Sequence, residues 1–344
     1  MSSAVPVVDI SAYVRGGTED ERTACARAMD AACRTVGFVQ VVGHGVPTSV
    51  TAGLAAAMDD FFGLDLEEKK AWRTPPEVNR GYAPPRSESL SLSLGVQSAS
   101  RMNDFFEAYN VGASQASYPG TPGLPQPDYA ENLWPAVPGF RAAVEAYFDE
   151  AARVARTLTR VFADALDLPV DFFDRMTGHS LDVLRMNNYA LPPGTVDLDG
   201  DLTGMGEHTD YGIVTVLWAD QVAGLQILGP DGGWHDVSPA DGALLVNLGD
   251  VTTRLTNEHW LSTLHRVKPP VVDGTIRRRR SCAFFHDGDV DAVVGVLDTC
   301  LAPGEEPKYA PVTVGEHVAA KLRGSRAGVL NTADRETARA LAAR

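Results

Sequence analysis

His208, Asp210 and His265 carry the donor atoms of a possible metal site. Read on an extended strand, His208 and Asp210 project to one face while Thr209 points away, because strand side chains alternate with a period of two. Two imidazoles and one carboxylate can fill one face of an octahedral ion, a facial triad, and leave the opposite positions open to exchangeable ligands. A His-x-Asp tripeptide recurs by chance, so this reading depends on its company.

That company begins 14 residues after His265 (279 − 265) with Arg279, inside Arg277-Arg278-Arg279-Arg280-Ser281-Cys282-Ala283-Phe284-Phe285. As a strand, this run places Arg279, Ser281, Ala283 and Phe285 on one face, with Arg278, Arg280, Cys282 and Phe284 on the other. A guanidinium fork beside a hydroxyl suits a carboxylate. Arg278 and Arg280 then belong to a solvated outer face.

The order His-x-Asp, His, Arg-x-Ser resembles the isopenicillin N synthase-like family of Fe(II)/2-oxoglutarate-dependent dioxygenases. Further matching pieces are Leu184-Arg185-Met186-Asn187-Asn188-Tyr189, Gly224-Leu225-Gln226, Val246-Asn247-Leu248-Gly249-Asp250 and Ser262-Thr263-Leu264-His265-Arg266-Val267. Val5-Pro6-Val7-Val8-Asp9, Gly37-Phe38 and Gly43-His44-Gly45-Val46 extend the resemblance, in order, over residues 5–315.

The resemblance implies a mixed α/β, mainly β fold. Its core would be a double-stranded β-helix, or jelly roll, flanked by helices and carrying an N-terminal α/β cap region. It also implies Fe(II) on His208, Asp210 and His265, with 2-oxoglutarate and dioxygen as co-substrates. Arg279 and Ser281 would take the far carboxylate of 2-oxoglutarate, whose burial without partners would be costly. Asn187 and Tyr189 would bond its chelating end, although Tyr189 could equally be a core aromatic whose hydroxyl found a partner. Phe285, Tyr211 and Arg101 are candidate substrate contacts, and Phe285 could instead simply fill the barrel. The implied reaction is hydroxylation or a related C–H oxidation, such as desaturation or ring closure, of a small molecule. One alternative is an oxidative cyclase of the isopenicillin N synthase type, which uses the same Arg-x-Ser for its substrate and consumes no 2-oxoglutarate. Another is a barrel that binds metal and ligand without turnover.

The 344 residues suffice for a sizeable core, and acids exceed bases by 45 − 30 = 15 charges. That balance argues against a nucleic-acid binder, which needs a basic footprint. Four cysteines without Cys-x-x-Cys spacing suggest neither a disulfide scaffold nor a zinc site. No signal-like leader or membrane-length apolar run is seen, so a cytoplasmic protein without a membrane partner is expected, as a monomer or weak homo-oligomer.

Along the chain, residues 5–10 read as a strand, and Thr18 with Glu21 as a capping box opening a helix that stops at Gly37. A strand at 38–42, a turn at 43–47 and helices at 48–62 and 66–72 follow. His44 is expected to brace its turn. Residues 80–104 suit a loop or hairpin over a pocket mouth, or a plain surface loop. Residues 107–111 read as a strand entering the barrel, 117–139 as an irregular Pro-rich connection, and 140–166 as a long helix against a sheet. Short apolar runs at 184–189, 214–218, 225–228, 243–248, 263–267 and 281–285 read as barrel strands. Asp250 is read as turn chemistry at a strand end, and His235, His259 and His286 as surface residues or supports of the site. The expected regions are 1–115, a cap-type region packing on the core; 116–180, connection and long helix; 181–315, jelly roll; and 316–344, a helical tail, all within one structural unit.

Overall fold

In this computed structural model the described residues are 5–88, 90–94, 104–190, 204–268, 271–272 and 275–327. Arg101 and the distal part of the tail, expected to be helical, lie outside them.

The expected capping box is present. The Thr18 hydroxyl accepts from the Glu21 amide, and Glu21 reaches back to the Thr18 amide. After α1 (Ser11–Val14), it opens α2 (Glu19–Thr35), whose chain turns at Gly37 with φ +69°. A Cβ there would overlap the Leu261 carbonyl and the Thr263 hydroxyl, so only glycine fits. α3 (Thr48–Phe62) and α4 (Leu66–Lys70) follow, and α5 (Phe140–Ala165) buries Val144, Tyr147, Ala151 and Leu158. α5 packs on α2, α3 and the main sheet, where Phe148 meets Phe284 edge-on at 5.1 Å. His44 braces its turn as expected, accepting from the Val46 amide on Nδ1 and bonding the Gly242 carbonyl through Nε2.

The strands are β1 (Val7–Asp9), β2 (Phe38–Val42), β3 (Gly81–Ala83), β4 (Glu107–Gly112), β5 (Val183–Tyr189), β6 (Met205–His208), β7 (Val214–Ala219), β8 (Leu225–Leu228), β9 (Trp234–Asp236), β10 (Leu244–Leu248) and β11 (His265–Val267). A small hairpin of β12 (Val271–Val272) and β13 (Thr275–Ile276) leads into β14 (Arg279–His286). The main sheet runs β1-β2-β10-β7-β14-β5-β4-β3, and the smaller one β6-β11-β8-β9. One apolar cluster fills the space between the sheets, with Phe38, Phe106, Met205, Ile227 and Leu245. A larger one seals the outer face of the main sheet under the helices. This is the jelly-roll core flanked by helices that the resemblance implied.

Residues 81–83, in the segment read as a loop or hairpin, form an edge strand paired antiparallel with β4, in keeping with the hairpin alternative. Two expectations are corrected. The strand carrying His208 ends at that residue, so Thr209 and Asp210 lie beyond it and strand alternation does not orient them. Asp250 is more than a turn residue: it is buried, begins α6 (Asp250–Leu255), and sits 2.8 Å from the ammonium of Lys321 on α7 (Val314–Ala327). Residues 118–139, in contrast, form no helix or strand, as their prolines suggested.

Candidate active site

β6 and β11 pair antiparallel with His208 directly opposite His265, so the two rings meet at a centroid distance of 4.2 Å. Each ring is oriented by its own backbone. Nδ1 of His208 lies 2.7 Å from the Gly206 carbonyl, and Nδ1 of His265 lies 3.0 Å from the Thr263 carbonyl. A carbonyl only accepts, so both Nδ1 atoms carry the proton and both Nε2 lone pairs are free. The Nε2 atoms are 3.8 and 3.7 Å from Oδ1 of Asp210, too long for hydrogen bonds and short enough for one ion to lie among the three.

Asp210 reaches this point through tertiary contacts. Its Oδ2 accepts from Thr215 Oγ1 on β7 at 2.5 Å and from Asn247 Nδ2 on β10 at 2.6 Å. Its carbonyl accepts from the Asp250 amide. Oδ2 is thus saturated and Oδ1 is left for a cation. Thr209 does point away, donating to Asp250 Oδ2 at 3.1 Å. Burial, then the neighbouring His265, pushes the His208 imidazole well below its usual range, which keeps it neutral and able to bind a metal.

A cavity of about 110 Å³ opens over these atoms, between the two sheets and α7. On its far wall Arg279 is opposite Tyr189, and Ser281 opposite Asn187, across β14 and β5. The guanidinium is 2% exposed, sits 5.1 Å from the Tyr189 ring centre and donates to Ser281 Oγ at 3.2 Å. Its Nε has no hydrogen-bond partner, and no described carboxylate pairs with it. A buried cation left this way calls for an anionic ligand. The chain therefore offers both halves of what Fe(II) and 2-oxoglutarate need: a three-donor face and an unpaired guanidinium. Tyr189 itself contacts Met205 Sδ at 3.9 Å.

Residues 181–288 match the 2OG-Fe(II) oxygenase superfamily, and residues 5–137 match the non-haem dioxygenase in morphine synthesis N-terminal family. The chain belongs to the 2OG-Fe(II) oxygenase superfamily. A 2-oxoglutarate-Fe(II) type oxidoreductase of Emericella nidulans is 34% identical to it, over 92% of this chain and 88% of that protein. A homoarginine-6-hydroxylase of Oryza sativa subsp. japonica is 32% identical, over 93% and 96%. Among solved structures, a full-length Neurospora crassa protein in complex with alpha-KG and 5-formyluracil superposes with a TM-score of 0.79 at 26% identity, covering 92% of this chain and 95% of that one. Members of this superfamily use Fe(II), 2-oxoglutarate and dioxygen, and so does this oxygenase.

Of the other expected residues, Phe285 and Tyr211 line the cavity. Arg278 and Arg280 do leave by the solvated outer face, where they form ion pairs with Asp59 of α3 at 2.6 and 2.8 Å. His286 is buried, with Nδ1 2.7 Å from Asp182 Oδ1. His235 pairs with Asp231 at 2.8 Å. Glu88, from the segment expected over a pocket mouth, lines the cavity, as do Arg185, Asn247, Thr215 and Asp287, which were given no role. Asp287 could have been found by carrying the β14 alternation one step past Phe285.

Proposed function

We propose that this oxygenase couples oxidation of 2-oxoglutarate to hydroxylation or a related C–H oxidation of a small molecule in specialised metabolism. His208, Asp210 and His265 hold the iron, and Arg279 with Ser281 holds the far carboxylate of 2-oxoglutarate. Bound there, Fe(II) would serve to activate dioxygen, whose reduction would take two electrons from the decarboxylation of 2-oxoglutarate to succinate and two from the C–H bond of the organic substrate.

The chain's part is to position and to exclude water. The two Nδ1–H···O=C bonds hold each imidazole in the tautomer that presents Nε2. Thr215 and Asn247 direct Oδ1 of Asp210 inward. Asn187 and Tyr189, opposite Ser281 and Arg279 across the strands, would bond the chelating end of 2-oxoglutarate. Phe285 and Tyr211 wall the space left for the organic substrate. The observation that carries this reading is the buried Arg279 with no carboxylate of its own beside a His-Asp-His face.

That the similar Neurospora crassa protein has been solved in complex with alpha-KG and thymine or 5-formyluracil supports a small organic substrate here. We further propose a cytoplasmic protein with no nucleic-acid or membrane partner, monomeric or weakly self-associating. Its 15 excess negative charges and the absence, among the described residues, of a helix able to cross a membrane support that. Succinate formation on supplying Fe(II), 2-oxoglutarate and oxygen tests the reaction. Oxygen consumption without loss of 2-oxoglutarate would instead favour a cyclase that uses Arg279 for its substrate.

A further inference from the structure

The charged side chains of the cavity can be balanced one by one. Glu88 and Arg185 neutralise each other, with NH2–Oε2 at 2.7 Å and NH1–Oε1 at 3.4 Å. Arg279 is matched by the far carboxylate of 2-oxoglutarate, and the triad by its metal ion. Asp287 has no counterpart. It is 8% exposed, lines the cavity, and receives no hydrogen bond or ion pair from any described residue.

Its place is set by packing. Arg279, Ser281, Ala283, Phe285 and Asp287 line the cavity at every second position, so Asp287 continues the inward face of β14 toward α7. Its side chain lies over Gly212, where a Cβ would overlap Oδ1 and come 2.5 Å from the Asp287 Cα. The charges acting on it are negative, Asp182 and Asp210, and burial together with these two lifts its carboxyl well above the usual range. Asp182 is already served by Ser180 Oγ and His286 Nδ1, both at 2.7 Å, so neither is free to turn to Asp287. The neighbouring wall is apolar: Phe285, Val183, Val318 and Leu322.

We propose that Asp287 is a specificity-determining residue that pairs with a cationic nitrogen, an ammonium or guanidinium group, of the organic substrate. The inference rests on the reading of this cavity as the oxygenase site. Among the described residues Asp287 is the cavity carboxyl left without a partner; a cation is the ligand that would draw it into its charged form, and the apolar wall takes the hydrocarbon body that such an amine carries. A carboxylate substrate would meet Asp287 with like charge.

The test titrates matched probes into the protein loaded with Mn(II) and 2-oxoglutarate, read by calorimetry: butylguanidine against butylurea, benzylamine against benzyl alcohol, and cyclohexylamine against cyclohexanol. In the wild type at least one cation should bind about 10-fold or more tighter than its neutral partner, as a buried charge pair requires. Asp287→Asn should bring that ratio to within about 3-fold, while Asp287→Glu, which keeps the charge, should retain a preference. Equal binding within all three pairs overturns the proposal, and so does a preference that survives Asp287→Asn. The wild-type ratios decide this even if a variant does not fold. Failure of 2-oxoglutarate itself to bind the wild type would overturn the underlying function instead.

Discussion

Asn247 and Thr215 stand opposite each other on β10 and β7, and both donate to the same oxygen of Asp210. The pair belongs to the rigid main sheet, whereas Asp210 lies past the end of a strand in the smaller one. The sheet thus fixes the carboxylate, and the direction in which it faces, before any metal arrives.

Asn247→Ala or Thr215→Val should therefore weaken Fe(II) or Mn(II) binding by about 10–100-fold, the usual cost of losing such a support. His208→Ala or Asp210→Ala should abolish metal binding and activity while the fold survives. Titration with Mn(II) checks both. Wild-type turnover in Asp210→Ala would disprove the ligand assignment. Zn(II) or Co(II) should occupy the same donors and inhibit, since intrinsic affinity does not favour Fe(II).

Arg279→Lys keeps a charge but loses the fork, so the KM for 2-oxoglutarate should rise sharply. Arg279→Ala should cost about 2–5 kcal/mol of co-substrate binding, as removal of a buried partner does. Arg278→Ala and Arg280→Ala break ion pairs to Asp59 and bonds to Asn188, Asp220 and the Ala55 carbonyl, all away from the cavity, and should leave 2-oxoglutarate turnover within a few-fold of wild type. Comparing decarboxylation by the three alanine variants is sufficient. Equal losses would contradict the register of β14, and an Arg279→Ala effect confined to the organic substrate would favour the cyclase.

Much of this site could be read from the chain because its motifs are local. Arg279, Ser281 and Phe285 alternate on β14, a central strand paired on both sides, where the period of two holds strictly. At Asp210 the same rule gave the right neighbours but not the cause, because the strand ends at His208 and the next residues are set by what the backbone meets in space, here the Asp250 amide. Asp250 and Lys321 are 71 residues apart (321 − 250), and no local pattern announces a buried pair across that distance. Glu88 and Arg185 were hidden for the same reason, and the edge strand at 81–83 is too short for periodicity to reveal.

Asp104 gives a pH prediction. Its Oδ1 accepts from the Gly206 amide and its Oδ2 from the Leu90 amide, both at 2.7 Å, tying the segment before β4 to the strand that bears His208. Burial raises its carboxyl to about 7 despite these two bonds. A raised folded-state pKa means the native protein holds this proton more tightly than the unfolded chain. Its contribution is full below about 4, the ordinary aspartate range, and is lost as pH rises to about 7. Relative to Asp104→Asn, the wild-type Tm should therefore fall between these limits and level off above them. A Tm difference independent of pH would refute the shift.

Lys321 supplies the remaining prediction. Its ammonium is wholly buried, 2.8 Å from Asp250 Oδ2, and lies 6.0 Å from the ring centre of Tyr211 on the cavity wall. The same Asp250 oxygen accepts from Thr209, the residue between His208 and Asp210. Lys321 thus links α7, which brings Val318, Leu322 and Ser325 to the cavity, with the loop that carries Asp210. Lys321→Ala removes the ammonium 2.8 Å from the buried Asp250 carboxylate, which keeps His317 Nε2 at 3.8 Å, and should destabilise the fold by about 3–5 kcal/mol. Adding Asp250→Asn to Lys321→Met removes both charges and should recover much of that loss, because a neutral pair avoids the uncompensated buried ion. Metal affinity should fall in Lys321→Ala as Asp250 shifts and Thr209 loses its acceptor. Denaturant unfolding and Mn(II) titration measure the two effects, and a stability loss below about 1 kcal/mol, the range of an exposed ion pair, with unchanged metal binding would show that this link is idle.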